Sequence, residues 1–148
     1  MTHGRSPLAR FMISQMSLPD AGSDIPVRLS VRADANGERW QRQYANSEFN
    51  TYQTYGEGGV LIEVIGALQI VYRLVVVDGA LHYEQLRAAL RVGPVRVPLP
   101  RLLLPLIQAQ EWREKDQSVA YVRVNVSNPL AGEVISYHGW LQQENQVQ

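Results

Sequence analysis

From residue 26 onward, apolar side chains recur at every second position, and this alternation decides which class of fold the chain can adopt. In residues 26–33, Val27, Leu29, Val31 and Ala33 share one face while Arg28, Ser30 and Arg32 share the other. Such a strand buries one face and leaves the other in water. The same pattern predicts strands at Glu38–Tyr44, Phe49–Tyr55, Val60–Ile65, Leu68–Val77, Leu81–Val92, Ile107–Lys115, Val119–Val126 and Val134–Leu141. The interruptions are short turn chemistry: Gly56-Glu57-Gly58-Gly59, Gly66, Asp78-Gly79, Asp116-Gln117 and Asn128-Pro129-Leu130-Ala131-Gly132. Asn36-Gly37 predicts a type I′ hairpin turn, because both central residues of that turn need positive φ.

About nine strands with hairpin-length connections and no intervening helices predict a mainly β fold, a curled antiparallel meander or barrel. The length of Leu68–Val77 and Leu81–Val92 favours a curled sheet or up-and-down barrel over an immunoglobulin-like sandwich. Residues 93–106 break the alternation with four prolines, which forbids a central strand and predicts a loop with one helical turn at Arg101–Leu104. At the N-terminus, Ser6-Pro7 followed by Leu8, Phe11, Met12 and Met16 predicts a short helix over residues 6–17. Helix and proline-rich segment are placed to cover one mouth or face of the sheet. The chain of 148 residues reads as a single domain, with the helix over 6–17, the sheet or barrel over 26–141 and a polar tail over 142–148.

A chain of this size buries roughly 68–70% of its unfolded surface, so its core needs no metal or disulfide. With no cysteine, disulfides, thiolate metal sites and thiol nucleophiles are excluded together. Fourteen basic and fourteen acidic residues balance, which argues against a nucleic-acid footprint. Thirteen of the basic residues are arginine, the side chain suited to bidentate binding of carboxylate or phosphate. No signal peptide is read, and no apolar run approaches the roughly 20 residues of a spanning helix. A cytoplasmic protein is expected.

The order of motifs resembles a bacterial family known only as a domain of unknown function. The resemblance is carried by Leu8-Ala9-Arg10, Leu18-Pro19, Ile25-Pro26-Val27, Glu38-Arg39-Trp40-Gln41-Arg42 with Tyr44, and Leu61-Ile62-Glu63 before Gly66. It continues through Gly79-Ala80-Leu81, Val97-Pro98-Leu99-Pro100, Glu111-Trp112, Asn128-Pro129-Leu130-Ala131-Gly132 and Tyr137-His138-Gly139-Trp140-Leu141. Members occur alone or behind Rossmann-type domains similar to saccharopine dehydrogenase. The resemblance brings no activity or catalytic residues; it implies a place near small-molecule metabolism, with a Rossmann-type oxidoreductase domain as one partner.

Glu38–Tyr44 is the most informative strand, because alternation puts Trp40, Arg42 and Tyr44 on the inner face. An inward arginine is costly unless its guanidinium is paired or hydrogen-bonded. Glu63, on the face of Leu61 and Ile65, is one partner for it, giving a structural Arg42–Glu63 pair. Alternatively Arg42 anchors a ligand carboxylate or phosphate at the base of an apolar pocket, with Trp40 along the guanidinium. Exposure at a strand end is the third reading. Alternation places His82 and Glu84 with Leu86, Ala88 and Leu90, where a histidine and a carboxylate would serve as acid–base. Gly139, beside His138 and Trp140, suggests a bulge or close backbone approach. Neither metal-ligand spacing nor a phosphate loop is present, His3 lies in a terminus read as mobile, and no cofactor is expected.

The leading expectation is a binding or accessory domain whose pocket takes a lipid-like or acidic small molecule, lined by Trp40, Arg42, Tyr44, Glu63, His82 and Trp112. Trp112 shares the face of Gln108 and Gln110, which weakens its claim to an inward position. The alternatives are an enzyme in which Arg42 orients an acidic substrate for His82 or Glu84, and an interaction module that docks through residues 97–107 onto a Rossmann partner or onto a second copy of itself as a homodimer.

Overall fold

The computed structural model describes residues 1–14, 19–114 and 118–142. Its elements are β1 (Thr2–His3), α1 (Pro7–Ser14), β2 (Arg28–Ala33), β3 (Glu38–Gln43), β4 (Glu48–Tyr55), β5 (Leu61–Ile65), β6 (Leu68–Val77), β7 (Ala80–Val92), β8 (Val95–Pro98), β9 (Leu106–Arg113), β10 (Val119–Asn128) and β11 (Gly132–Gln142). All eleven strands belong to one antiparallel sheet in the order β1-β11-β10-β9-β7-β6-β5-β4-β3-β2, with β8 paired to β7 beside β9. The expected meander is therefore present. Its end strands do not pair, so it is not a closed barrel.

Two strands escaped the alternation. β1 is only two residues long, yet His3 pairs with Ile135 instead of lying in a free terminus. β8 lies inside the proline-rich segment: Gly93-Pro94 makes a two-residue turn with Gly93 at φ 59°, and Pro98 falls on the last residue of the strand, where a missing N–H is tolerated. The helical turn expected at Arg101–Leu104 is present, with the amides of Leu103 and Leu104 donating to the Pro100 carbonyl.

Turn chemistry departs from expectation at Asn36-Gly37. The connection has four residues, and Asp34 Oδ1 accepts from the amides of Asn36 and Gly37 at 2.8 and 3.0 Å, an Asx turn in place of type I′. Gly37 is required for a different reason: a Cβ there would lie 2.2 Å from the Gln53 carbonyl oxygen. The two-residue turn with two positive φ values is Asp78-Gly79 (50° and 79°).

Helix α1 starts as expected, with Ser6 Oγ accepting from the Ala9 amide at 3.1 Å and Pro7 in the first helical position. It is described as far as Ser14; the rest of the expected helix, the turn at Asp116-Gln117 and the tail from residue 143 lie outside the described residues. Ser6 also donates to the Ala131 carbonyl at 2.9 Å, fixing the helix against the β10–β11 connection. Leu8, Met12 and Ile13 pack with Ala9, Val126, Val134 and Ile135 in one hydrophobic cluster. A second cluster joins Leu61, Ile70, Tyr72 and Ala88 to Leu104, which plugs the sheet from the proline-rich segment. Ile107 packs against both.

The two ends of the sheet curl toward each other, so that Tyr137 of β11 lies within electrostatic reach of Arg42 in β3 and Tyr44 just beyond it. The result is a trough and not a filled globule.

Candidate functional site

Register fixes which side chains enter the trough. Val31, Trp40 and Thr51 stand opposite one another on β2, β3 and β4, as do Leu29, Arg42 and Phe49. Further round, Gln53 opposes Glu63, and Glu63 opposes Ile70 of the buried cluster. The concave face therefore carries Trp40, Arg42 and Glu63, as alternation predicts, together with Thr51.

Arg42 and Glu63 do not form the expected pair. Arg42 is level with Phe49 on β4 and Glu63 is level with Gln53, four residues farther along. At about 3.3 Å per residue this offset is roughly 13 Å, beyond any ion pair. Each finds other company. The Arg42 guanidinium lies over the rings of Trp40 and Phe49, 5.7 and 5.5 Å from their centroids, and donates to Thr51 Oγ1 at 3.3 Å. Among the described residues no carboxylate lies within 4 Å of it. Glu63 accepts from Gln53 Nε2 at 3.2 Å and lies beside the hydroxyl of Tyr72.

Tyrosines line the rest. Burial raises the Tyr72 pKa strongly, with the Glu63 charge adding to it. Burial likewise raises Tyr83, whose hydroxyl donates to Glu111 Oε1 at 3.0 Å. Tyr137 is pushed up to about 12 by burial, against the opposing pull of Arg42, and Tyr44 is raised by burial against the same cation. All four stay neutral near pH 7, with the Tyr72 and Tyr83 hydroxyls engaged by Glu63 and Glu111. Beside Tyr44 a shallow, open surface depression is lined by Pro26, Val27, Arg28, Gln43 and Ala45, and it contains none of Trp40, Arg42 and Glu63. A cleft of about 490 Å³ between β1 and α1 contains His3, Arg5 and Arg10 but none of the residues predicted for the pocket.

Two predicted lining residues face the other way. Arg87 of β7 pairs with Val71 and Gln85 with Tyr72, leaving Leu86 as an extra, unpaired residue in a bulge. The bulge reverses the parity of the strand: Tyr83 and Gln85 join Ala88 on the concave side, and His82 and Glu84 move to the convex side. Glu84 there meets Arg73 at 3.9 Å, with both side chains more than half exposed. Trp112 also lies on the convex face, stacked on Tyr121 at 5.5 Å with Arg123 over its ring. Among the described residues no three His, Asp or Glu side chains converge as metal ligands. Gly139 is neither a bulge nor a close approach, since a Cβ there would meet nothing within 4 Å.

Phe49, Thr51, Tyr72, Tyr83, Glu111 and Tyr137 are trough residues that the sequence reading did not assign. Phe49 and Thr51 were legible from β4's own period, and Glu111 from its spacing with Ile107 and Ala109.

The profile described as Domain of unknown function (DUF4166) matches residues 1–141. The chain belongs to this family. The DUF4166 match takes in α1 and the sheet through Leu141, so every trough residue named above lies within it. No curated protein and no solved structure matches the chain.

Proposed function

We propose that this DUF4166 chain binds a hydrophobic acid, a lipid-like molecule bearing a carboxylate or phosphate, in the concave trough. The observation that carries the reading is Arg42, a half-buried guanidinium between two aromatic rings with a threonine hydroxyl as partner and, among the described residues, no carboxylate within 4 Å. A guanidinium forks toward two oxygens, so it has donors left for an anionic headgroup. Tyr44 and Tyr137, which feel the Arg42 charge, add neutral hydroxyls to the same part of the trough. The roughly 13 Å offset from Glu63 keeps that acid away from the headgroup. Arg42, Trp40 and Tyr44 are the ligand-binding residues of this reading, with Glu63 farther along the trough. The enzymatic alternative, with Arg42 orienting substrate for His82 or Glu84, has its groups on opposite faces of the sheet.

The test is uptake of a fluorescent long-chain carboxylic acid by the wild-type chain and by Arg42→Met. Wild type should bind, and Arg42→Met should lose most of the affinity while melting within a few degrees of wild type. Absent uptake, or equal uptake by both proteins, would refute the reading. Native mass spectrometry followed by organic extraction then identifies any acid that co-purifies.

A further inference from the structure

Residues 85–110 contain four arginines and no aspartate or glutamate, and the fold pushes the middle of this segment outward. In the β7–β8 hairpin Leu90 opposes Val97 and Val92 opposes Val95, so four aliphatic side chains share one face. All four are exposed, Val92 and Val95 at 63% and 57%. Arg91 and Arg96 face each other on the reverse side. Because Leu90 pairs with Leu68, the first residue of β6, the turn at Gly93-Pro94 projects beyond the β5–β6 hairpin at one rim of the trough. The adjoining loop exposes Leu102, Leu103 and Arg101.

This loop is not slack. Asn128, itself buried, donates to the carbonyls of Leu102 and Leu104, and Gln85 holds Pro105 and Ile107 through its amide group. The leucines are thus presented on a fixed scaffold. The bordering turns, Gly66-Ala67 and Pro129-Leu130-Ala131, add no acidic side chain.

We infer that this rim docks on an anionic lipid bilayer, with the hairpin tip and loop leucines inserted among the acyl chains and the arginines on the headgroups. Charge complementarity selects the occupant: two arginines directly opposed repel one another unless an anionic layer meets them. The side chains select a fluid apolar phase over a fitted protein pocket, since they are valine and leucine with no aromatic anchor among residues 85–110. The apolar face of the hairpin runs without a break through Leu90 and Leu68 to Ala88 and Ile70, so the docked rim opens the trough toward the lipid. The docking surface stands apart from the ligand-binding reading, because it contains none of the trough residues assigned to headgroup binding.

The experiment is co-sedimentation with vesicles of phosphatidylglycerol and phosphatidylcholine and with vesicles of phosphatidylcholine alone. Wild type should sediment with the anionic vesicles, less as salt is raised, and far less with the neutral ones. The double variant Arg91→Gln/Arg96→Gln should lower partitioning about 30-fold, and Val92→Asp, at an open tip, should lower it further; circular dichroism checks that both retain the sheet. Without vesicles, Arg91→Gln/Arg96→Gln should take up the fluorescent long-chain carboxylic acid as wild type does, so that failure of the trough reading is read separately. Wild type that ignores anionic vesicles, or variants that bind as wild type does, would overturn the inference. So would a dimer that ignores vesicles and is dispersed by Val92→Asp, which would put a second copy on this surface.

Discussion

Replacing Asn128 with alanine tests how the proline-rich loop is held to the sheet. The side chain is 3% exposed, and its amide is fully used: Nδ2 donates to the carbonyls of Leu102 and Leu104, both at 3.1 Å, while Oδ1 accepts from the amides of Leu130 and Ala131 at 2.9 and 3.0 Å. Four such bonds at a net 0.5–1.5 kcal/mol each set a range of about 2–6 kcal/mol. Leu102 and Leu130 are exposed, so water replaces part of what is lost, and the expected cost falls near the lower half, about 3 kcal/mol. With a urea slope of 1–3 kcal/mol/M, the unfolding midpoint should drop by about 1–3 M. Asn128→Asp should be no milder. It keeps the two acceptor bonds but turns a carboxylate oxygen toward the Leu102 and Leu104 carbonyls. Trypsin should cleave after Arg101 faster in both variants. A loss below about 1 kcal/mol in Asn128→Ala, with Arg101 cleaved at the wild-type rate, would refute the claim that this amide anchors the loop.

Two glycines should respond in opposite ways. Gly37→Ala forces a Cβ to 2.2 Å from the Gln53 carbonyl and should destabilise by about 2 kcal/mol or more, whereas Gly139→Ala meets no atom within 4 Å and should be neutral or stabilising by about 0.5–1 kcal/mol; urea midpoints decide both. The trough tyrosines predict alkaline sensitivity. Tyr72, Tyr83 and Tyr137 have folded pKa values raised above the unfolded value near 10. The folded chain then holds more protons than the unfolded one, so their contribution is intact below about pH 10 and is lost as pH rises through the folded values. Phenolate absorbance should show these three ionising only as the circular dichroism of the sheet collapses. All tyrosines titrating together near pH 10 with the sheet intact would count against the buried assignment.

The sheet was legible because alternation is a property of the chain itself, and nine segments announced nine strands. β1 and β8 were not, since two and four residues carry too little period, and β8 is bounded by prolines that read as loop. The site was legible in part for the same reason. Trp40 and Arg42 share a face within one unbroken strand, so counting by two located them correctly. His82 failed because its parity was counted through Leu86, and a bulge depends on how a neighbouring strand registers, which no local pattern encodes. The Arg42–Glu63 pairing failed likewise: each residue's facing was right, but the offset along β4 depends on hairpin geometry at both ends. Arg42 was left instead to Trp40, Phe49 and Thr51, partners that charge matching alone does not suggest.

Ile107 packs against both hydrophobic clusters, at the place where β7 gives up β8 and takes β9 as its neighbour over five residue pairs. A side chain of this size contributes about 1.5–3 kcal/mol of burial, a fraction of what unfolding a whole domain costs. The two cores thus meet at one side chain, a five-pair ladder and the hydrogen bonds of Gln85 and Tyr83 to Ile107 and Glu111. If each core is its own cooperative unit, amide exchange should fall into two blocks divided near β9, and a single block would show the joint to be as firm as the cores.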